Sequence, residues 1–336
     1  MNKRKVQAAI VGLGRWGKNL VKAIAQNSEN RLEFTHALTG NSAKAKSFCR
    51  QHSLYLCSSY EEILINPNIE AVVLATPHSL HALQIREAAQ AGKHVFVEKP
   101  LALNLSEAEE VVRTSITAKI ILAVGFNRRF LPAYNALKGF LTNGALGQVL
   151  NVEGNFSGPF GYGYSADMWR GTISENPAGG MAAMGIHMLD AMIHLLGPVN
   201  SVMAQSNKLI LKAPIDDTTN ILLDFASGAM GTLTTMMATP SHWKFHIFGS
   251  EGWALMGNEN SLEWRLLNGE RKSQNFSPID SLSQELNVFA KAICSECNFP
   301  VTTSEALFGV AALESIVEAA RTGKKTPVKK TFGQVR

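Results

Sequence analysis

Along residues 1–125, short runs of apolar and β-branched residues alternate with stretches of helical period. Residues 6–11 (VQAAIV), 32–38, 55–56, 71–75, 94–97 and 120–124 read as strands. Between them, apolar positions recur every three or four residues over 16–26, 43–51, 60–65, 80–91 and 106–117, the spacing of an amphipathic helix. Strands alternating with helices predict a parallel sheet covered on both faces. The punctuation agrees. Asn66-Pro67 stops the third helix and Gly92 closes the fourth. Ser106 stands where a helix cap is favoured, followed by Glu107, Glu109 and Glu110 at the positive end of the dipole.

The rhythm changes after Gly125. A helix is predicted over 134–142 and a strand over 149–156. Residues 157–177 are rich in Gly, Tyr and Trp and lack a clear period; loops of that length in compact domains are usually functional. A helix over 180–196 stops at Gly197-Pro198. Six β-rich stretches follow, at 199–209, 217–225, 229–238, 244–249, 253–256 and 262–266. Few helices interrupt them, which predicts a mostly antiparallel sheet. Helices over 281–294 and 303–322 close the chain. The expected fold class is α/β: a doubly wound parallel sheet in residues 1–125, then an α+β domain over 126–336.

Composition narrows the class. Of 336 residues, 46% are apolar and 18% charged, which excludes a disordered or coiled-coil chain. No apolar run approaches the ~20 residues of a membrane helix. The apolar stretch behind the basic N-terminus is too short for a signal peptide, so the expected location is cytoplasmic, with no membrane partner. The net charge of +5 sits at the ends: Lys3, Arg4 and Lys5, then Arg321, Lys324, Lys325, Lys329, Lys330 and Arg336. Without them the body stands at −4. No aromatic residues interleave with these charges, and no nucleic-acid partner is expected. Four cysteines are too few for a disulfide framework. Cys294 and Cys297 have C-x-x-C spacing but end a helical pattern, and two further ligands are wanting nearby, so no metal is expected.

The chemistry gathers at strand ends. Gly12-x-Gly14-x-x-Gly17 lies directly between a strand and a helix. Gly12 permits the tight turn, Gly14 lets backbone approach a pyrophosphate, and Gly17 allows close helix–strand packing. The end of the second strand, Ala37-Leu38-Thr39-Gly40-Asn41-Ser42, contains no acid. An NAD enzyme places an acid there on the ribose hydroxyls, where it would repel a 2′-phosphate. Its absence, with Arg15, Ser42, Lys44 and Lys46 nearby, tilts the expected cofactor, NAD or NADP, toward NADP. Thr76-Pro77-His78 follows the fourth strand, where His78 and His81 are each either surface histidines or cofactor contacts. Glu98-Lys99-Pro100 follows the fifth. Pro100 confines Lys99 to extended conformations and so directs its ammonium; the isomer of that bond is not legible. Partial desolvation there would suit the lysine to proton transfer. His187, Asp190 and His194 share one helical face, either aimed at a substrate or making a buried structural bond. Asp216-Asp217 reads as a turn.

Together these segments resemble the Gfo/Idh/MocA oxidoreductases, the glucose–fructose oxidoreductase and inositol dehydrogenase family. The carrying segments are GLGRWG (12–17), ATPHSLH (75–81), VEKPLAL (97–103), GFNRRF (125–130), GGMAAMGIHMLD (179–190), IFGSEG (247–252) and 305–328. The resemblance implies an N-terminal Rossmann domain and a C-terminal domain with a large open-faced sheet, one face of which commonly joins a homodimer or homotetramer. It implies Lys99 and His187 as the acid/base pair that also binds substrate. Leu13, Arg15 and Trp16, with Thr39 and Asn41, would lie along the dinucleotide. Thr76, Pro77, His81 and Glu98 would surround the nicotinamide side, and Trp169 and Arg170 would border the cleft. One departure stands out. Many members carry aspartate four residues before the active-site histidine, and this chain has Ala183. Either Lys99 and His187 suffice, the substrate differs, or activity is reduced or lost; Tyr162, Tyr164 and Asn127 are the candidates for a replacement hydrogen bond.

The expected activity is hydride transfer between nicotinamide and a sugar, cyclic polyol or sugar derivative. Ala183 keeps two other readings open. One is a dinucleotide-binding regulatory protein without turnover; the other is an NAD-using lyase or glycosidase that returns the hydride to the same substrate.

Overall fold

The computed structural model describes residues 4–26, 30–332 and 334. Lys3 and Arg336, two of the basic terminal residues, lie outside the described residues. The chain forms two compact units. The described residues up to Ala102, with Ser106–Asn127 and Asp280–Thr303, make the first.

The first unit runs β1 (Val6–Val11), α1 (Arg15–Ala25), β2 (Leu32–Leu38), α2 (Ser42–Gln51), β3 (Tyr55–Leu56), α3 (Tyr60–Ile65), β4 (Ala71–Leu74), α4 (His81–Gln90), β5 (His94–Glu98), α5 (Leu105–Thr117) and β6 (Leu122–Gly125). The strands order β3-β2-β1-β4-β5-β6, and every neighbouring pair is parallel. β4 and β6 bury every residue, as strands covered on both faces must. Connections leave β1 toward β2 on one side and reach β4 on the other. That reversal opens a crevice at the carboxyl ends of β1 and β4, the usual ligand position in such sheets. One local expectation fails: α5 begins at Leu105, so Ser106 lies inside its first turn and does not cap it.

The second unit holds α6 (Pro132–Thr142), β7 (Val149–Ser157), α7 (Gly185–Leu196), β8 (Val199–Asn207), β9 (Thr218–Phe225), β10 (Met230–Met236), β11 (His242–Gly249), β12 (Gly252–Asn258), β13 (Ser261–Leu266) and β14 (Lys272–Asn275). After α8 (Ser281–Ile293) come α9 (Thr303–Thr322) and β15 (Thr326–Pro327). Its nine strands order β14-β13-β12-β11-β7-β10-β9-β8-β15. Of these pairings, β7–β10 is parallel and the rest are antiparallel. β14 and β15 were not anticipated, because Lys272–Asn275 is wholly polar and exposed and β15 is two residues long. β9 alternates cleanly: Thr219, Ile221, Leu223 and Phe225 are buried, whereas Leu222 is 55% exposed. The sheet therefore has one covered and one open face.

A single boundary at 125 does not describe the chain. α8 joins the first unit, where Leu286, Phe289 and Ala290 enter a core with Val6, Ala8, Leu20, Leu32 and Phe96. Its apolar stripe is legible in sequence, but what the stripe packs against is not.

Candidate functional site

The β1–α1 turn has the predicted geometry. Gly12 has φ +98°, and a Cβ there would sit 2.5 Å from the Ala75 carbonyl oxygen. A Cβ on Gly17 would collide with the Gly12 carbonyl. Both glycines are thus required by close backbone approach. Gly14 differs: its backbone is extended, and its missing side chain faces open space. Gly14 precedes α1, whose first turn has no side-chain cap and no acidic residue. The free N–H groups and the positive end of the dipole are left available beside a space that a Cβ would only begin to fill. These features fit a dinucleotide pyrophosphate. Arg15 is exposed at the first turn. Leu13 is buried in the core and Trp16 packs against it, which anchors the turn.

The ribose corner is exposed. Thr39 is half-buried and residues 40–44 are exposed. Asn41 caps α2, its Oδ1 accepting the Lys44 N–H at 3.1 Å. That bond holds the side chain of Asn41 to its own helix, as capping requires.

At the end of β4, Thr76 donates its hydroxyl to Gln84 Oε1 at 2.7 Å, and Pro77 starts a short 3₁₀ turn over His78–Leu80. His81 is wholly buried. Its Nδ1 lies 2.8 Å from the Pro100 carbonyl and its Nε2 lies 3.2 Å from the Thr76 carbonyl. His81 thereby ties the loops after β4 and β5 together. His78, also buried, packs edge-on to it at 5.7 Å. Glu98 ends β5, buried, and Gly125 gives it room: a Cβ there would lie 3.2 Å from Glu98 Oε1. Lys99 follows, half-buried, and its bond to Pro100 is cis. Asn127, expected at substrate, donates to Ser281 Oγ at 2.8 Å and so fastens the start of α8 within the first unit.

In the second unit, the helix predicted from residue 180 starts only at Gly185. Ala178 and Gly179 have positive φ, and Gly179–Met181 form a 3₁₀ turn packed on the Asp216 carbonyl. His187 lies in the first turn of α7, buried, with its ring 6.2 Å from that of Phe156. Asp190 and His194 do not serve His187 as the spacing suggested. Both Asp190 oxygens bond Arg129, Oδ2 to Nε at 2.8 Å and Oδ1 to Nη2 at 2.6 Å. Arg129 Nη1 reaches Glu305 Oε2 at 3.0 Å. His194 Nδ1 lies 2.6 Å from Glu305 and 2.7 Å from Arg129. Burial pulls the guanidinium pKa down, but the charges and hydrogen bonds of Asp190 and Glu305 outweigh it and hold Arg129 ionised. Sequence reasoning quoted Arg129 inside GFNRRF without giving it a role. The missed signal was an aspartate on a buried helix face, which demands a cation.

The long loop holds Trp169 and Arg170 in a 3₁₀ turn, the guanidinium 4.0 Å from the indole. The Arg170 carbonyl accepts from Asn176 Nδ2 at 2.5 Å. Asp217 is a turn anchor, as expected: its Oδ2 accepts the N–H groups of Leu209, Ile210 and Leu211, and despite burial these bonds lower its pKa. Among the described residues no group of three or more His, Cys, Asp or Glu side chains could hold a metal ion. No helix among them is long and apolar enough to cross a membrane.

Comparison with known proteins adds the family. Residues 6–126 match the oxidoreductase family with the NAD-binding Rossmann fold, and residues 134–255 match the GFO/IDH/MocA C-terminal domain. Myo-inositol 2-dehydrogenase of Thermotoga maritima is 30% identical over 251 residues, 70% of this chain and 72% of that protein. Trans-1,2-dihydrobenzene-1,2-diol dehydrogenase of Mus musculus is 27% identical over 214 residues, 64% of this chain and 63% of that protein. The solved structure of levoglucosan dehydrogenase with NADH and levoglucosan shares the fold, with a TM-score of 0.89 at 22% identity over 97% of this chain and 100% of that one. The chain belongs to the GFO/IDH/MocA oxidoreductases, and by class it is an NAD(P)-dependent dehydrogenase.

Proposed function

We propose that this protein oxidises a secondary alcohol of a sugar, cyclic polyol or related cyclic diol, with Lys99 and His187 as the acid/base pair. One observation carries the reading: Lys99 stands half-buried just past the carboxyl end of β5, on the edge where the sheet opens its crevice. The relatives that act on inositol and on a dihydrobenzene diol support the substrate class. Bound nicotinamide supplies the hydride acceptor. With nicotinamide bound, the carbinol carbon would give up its hydride to it and become a ketone, while Lys99 or His187 takes the hydroxyl proton. His81 holds the loop that carries Lys99, and the β1–α1 turn holds the pyrophosphate. Alignment of the two reactants and a placed proton acceptor are the sources of rate. A panel of sugars and cyclic diols, followed at the reduced-nicotinamide absorbance, tests the reading; no net reduction with any member refutes it.

The cofactor preference follows from the acid-free corner after β2. Lys44 is exposed there, and residues 37–46 contain no carboxylate to repel a 2′-phosphate. NADPH is expected to bind about tenfold more tightly than NADH, or about 1.4 kcal/mol. Fluorescence titration of both reduced forms measures it, and tighter NADH binding overturns the preference.

The open face of the second unit suits a second copy of the chain. Met203, Leu222 and Met230 are 46%, 55% and 62% exposed on adjacent strands β8, β9 and β10. A shallow cavity of ≈ 560 Å³ runs along Met203, Leu222, Thr232 and Thr234. Exposed apolar surface of that kind marks an interaction site. Light scattering is expected to give at least twice the chain mass, and Leu222→Glu to reduce it to one; a wild-type monomer refutes the assembly.

A further inference from the structure

One residue in the second unit interrupts an otherwise buried stretch. From 178 to 193 every residue is buried except Ala183, four positions before His187. Ala183 packs on a small apolar cluster of Met184, Leu211, Ala213, Ile215 and Met237. Phe156, Tyr164 and Ala238 lie on the same cluster. Phe156 also faces the His187 ring at 6.2 Å. Two polar groups nearby have partners of their own. The Tyr162 hydroxyl donates to the Ala238 carbonyl. Arg128 stacks 4.5 Å over Phe156 and is ion-paired to Glu259 at 3.0 Å.

We infer that Ala183 and Phe156 form an apolar wall beside His187 and select a ring substrate that turns a hydrocarbon face, rather than a hydroxyl, toward it. The inference rests on the dehydrogenase reading and names its substrate class: a cyclic vicinal diol, or a deoxy or anhydro sugar, in preference to a fully hydroxylated ring. A hydroxyl placed against the Ala183 methyl and the Phe156 ring gives up water and gains no hydrogen bond from either, whereas a CH₂ face gains contact. Sites discriminate strongly when a polar group is left without a partner.

The test compares kcat/KM for trans-cyclohexane-1,2-diol and myo-inositol in the wild type, Ala183→Asp and Ala183→Asn. The wild type is expected to favour the cyclohexanediol by about tenfold or more. Ala183→Asp should narrow or reverse that ratio by improving inositol, with Ala183→Asn moving it the same way by less. A thermal melt of each variant checks folding, and the wild-type ratio stands as a test by itself if Ala183→Asp does not fold. A wild type that prefers inositol, or a ratio unmoved in a folded variant, overturns the inference while leaving the dehydrogenase reading intact. Absence of nicotinamide reduction with the whole panel counts against the dehydrogenase reading instead. In that case calorimetric binding of the same two compounds to the NADPH-loaded protein decides: tighter cyclohexanediol binding supports the wall, and equal or reversed affinity refutes it.

Discussion

Lys99→Met is expected to abolish turnover while leaving dinucleotide affinity close to that of the wild type. Methionine keeps the unbranched stem and removes the group that accepts and returns a proton. Lys99 stands past the end of β5, half-buried, whereas the elements that fit the phosphates are Gly14 and the uncapped start of α1. The two functions therefore rest on different strands and separate on mutation. General acid–base catalysis contributes roughly 10²–10⁴ in rate, and a loss of at least that size in kcat is expected. His187→Ala should fall in the same range if the two side chains act as a pair, and the double variant should cost little more than either alone. Initial rates give kcat, and fluorescence titration gives the Kd of the reduced dinucleotide. Undiminished turnover in Lys99→Met removes this lysine from the chemistry.

The second large effect is on stability. Arg129 and Asp190 are 5% and 4% exposed and make two direct bonds. Arg129→Met strands Asp190 without its cation, while Glu305 keeps His194. Breaking a buried ion pair from one side costs about 3–5 kcal/mol, far above an exposed pair such as Arg321–Glu318, worth about 0–1 kcal/mol. The denaturant midpoint should fall accordingly. Burial already raises the Asp190 pKa, with Arg129 opposing the rise. Without Arg129 the folded-state pKa lies still further above the unfolded value. The folded variant then binds more protons than its unfolded chain, so its stability falls as pH rises through that window and recovers in mild acid. Removing both charges, in Arg129→Met with Asp190→Leu, should recover most of the loss, since the pair's desolvation cost disappears with it. A double variant no better than Arg129→Met would show that the arginine acts through packing alone. Because Asp190 is three residues from His187 on α7, kcat in the single variant should fall as well.

These expectations draw on different layers of information. The parallel half of the fold is legible because its strands are continuous apolar runs and its helices carry a 3.6-residue period, both local properties. β14 escaped notice because an exposed edge strand needs no apolar alternation. α7 was extended too far toward the N-terminus because Gly179 and Gly180 sit in an apolar sequence, while the left-handed turn at Ala178 and Gly179 is imposed by packing on Asp216. Among site residues, Gly12 and Gly17 were readable from spacing, since the turn they make is local. The partners of His81, Asn127 and Asp190 were not: each bonds a group brought to it by the fold, the Pro100 carbonyl, Ser281 and Arg129.

By itself, the amino-acid order determined the two-part architecture, the glycine turn after β1, the lysine after β5 and the missing acid after β2. Each depends on neighbours within a few positions. Only the tertiary structure decided the partners of buried charge and the surroundings of Ala183. It brought Arg129 to residues 61 and 176 positions away, and it set Ala183 on a cluster drawn from residues 184–237. Pairing across such distances depends on which surfaces meet after collapse, and a polar residue's type does not say whether its partner will be a substrate or another part of the chain.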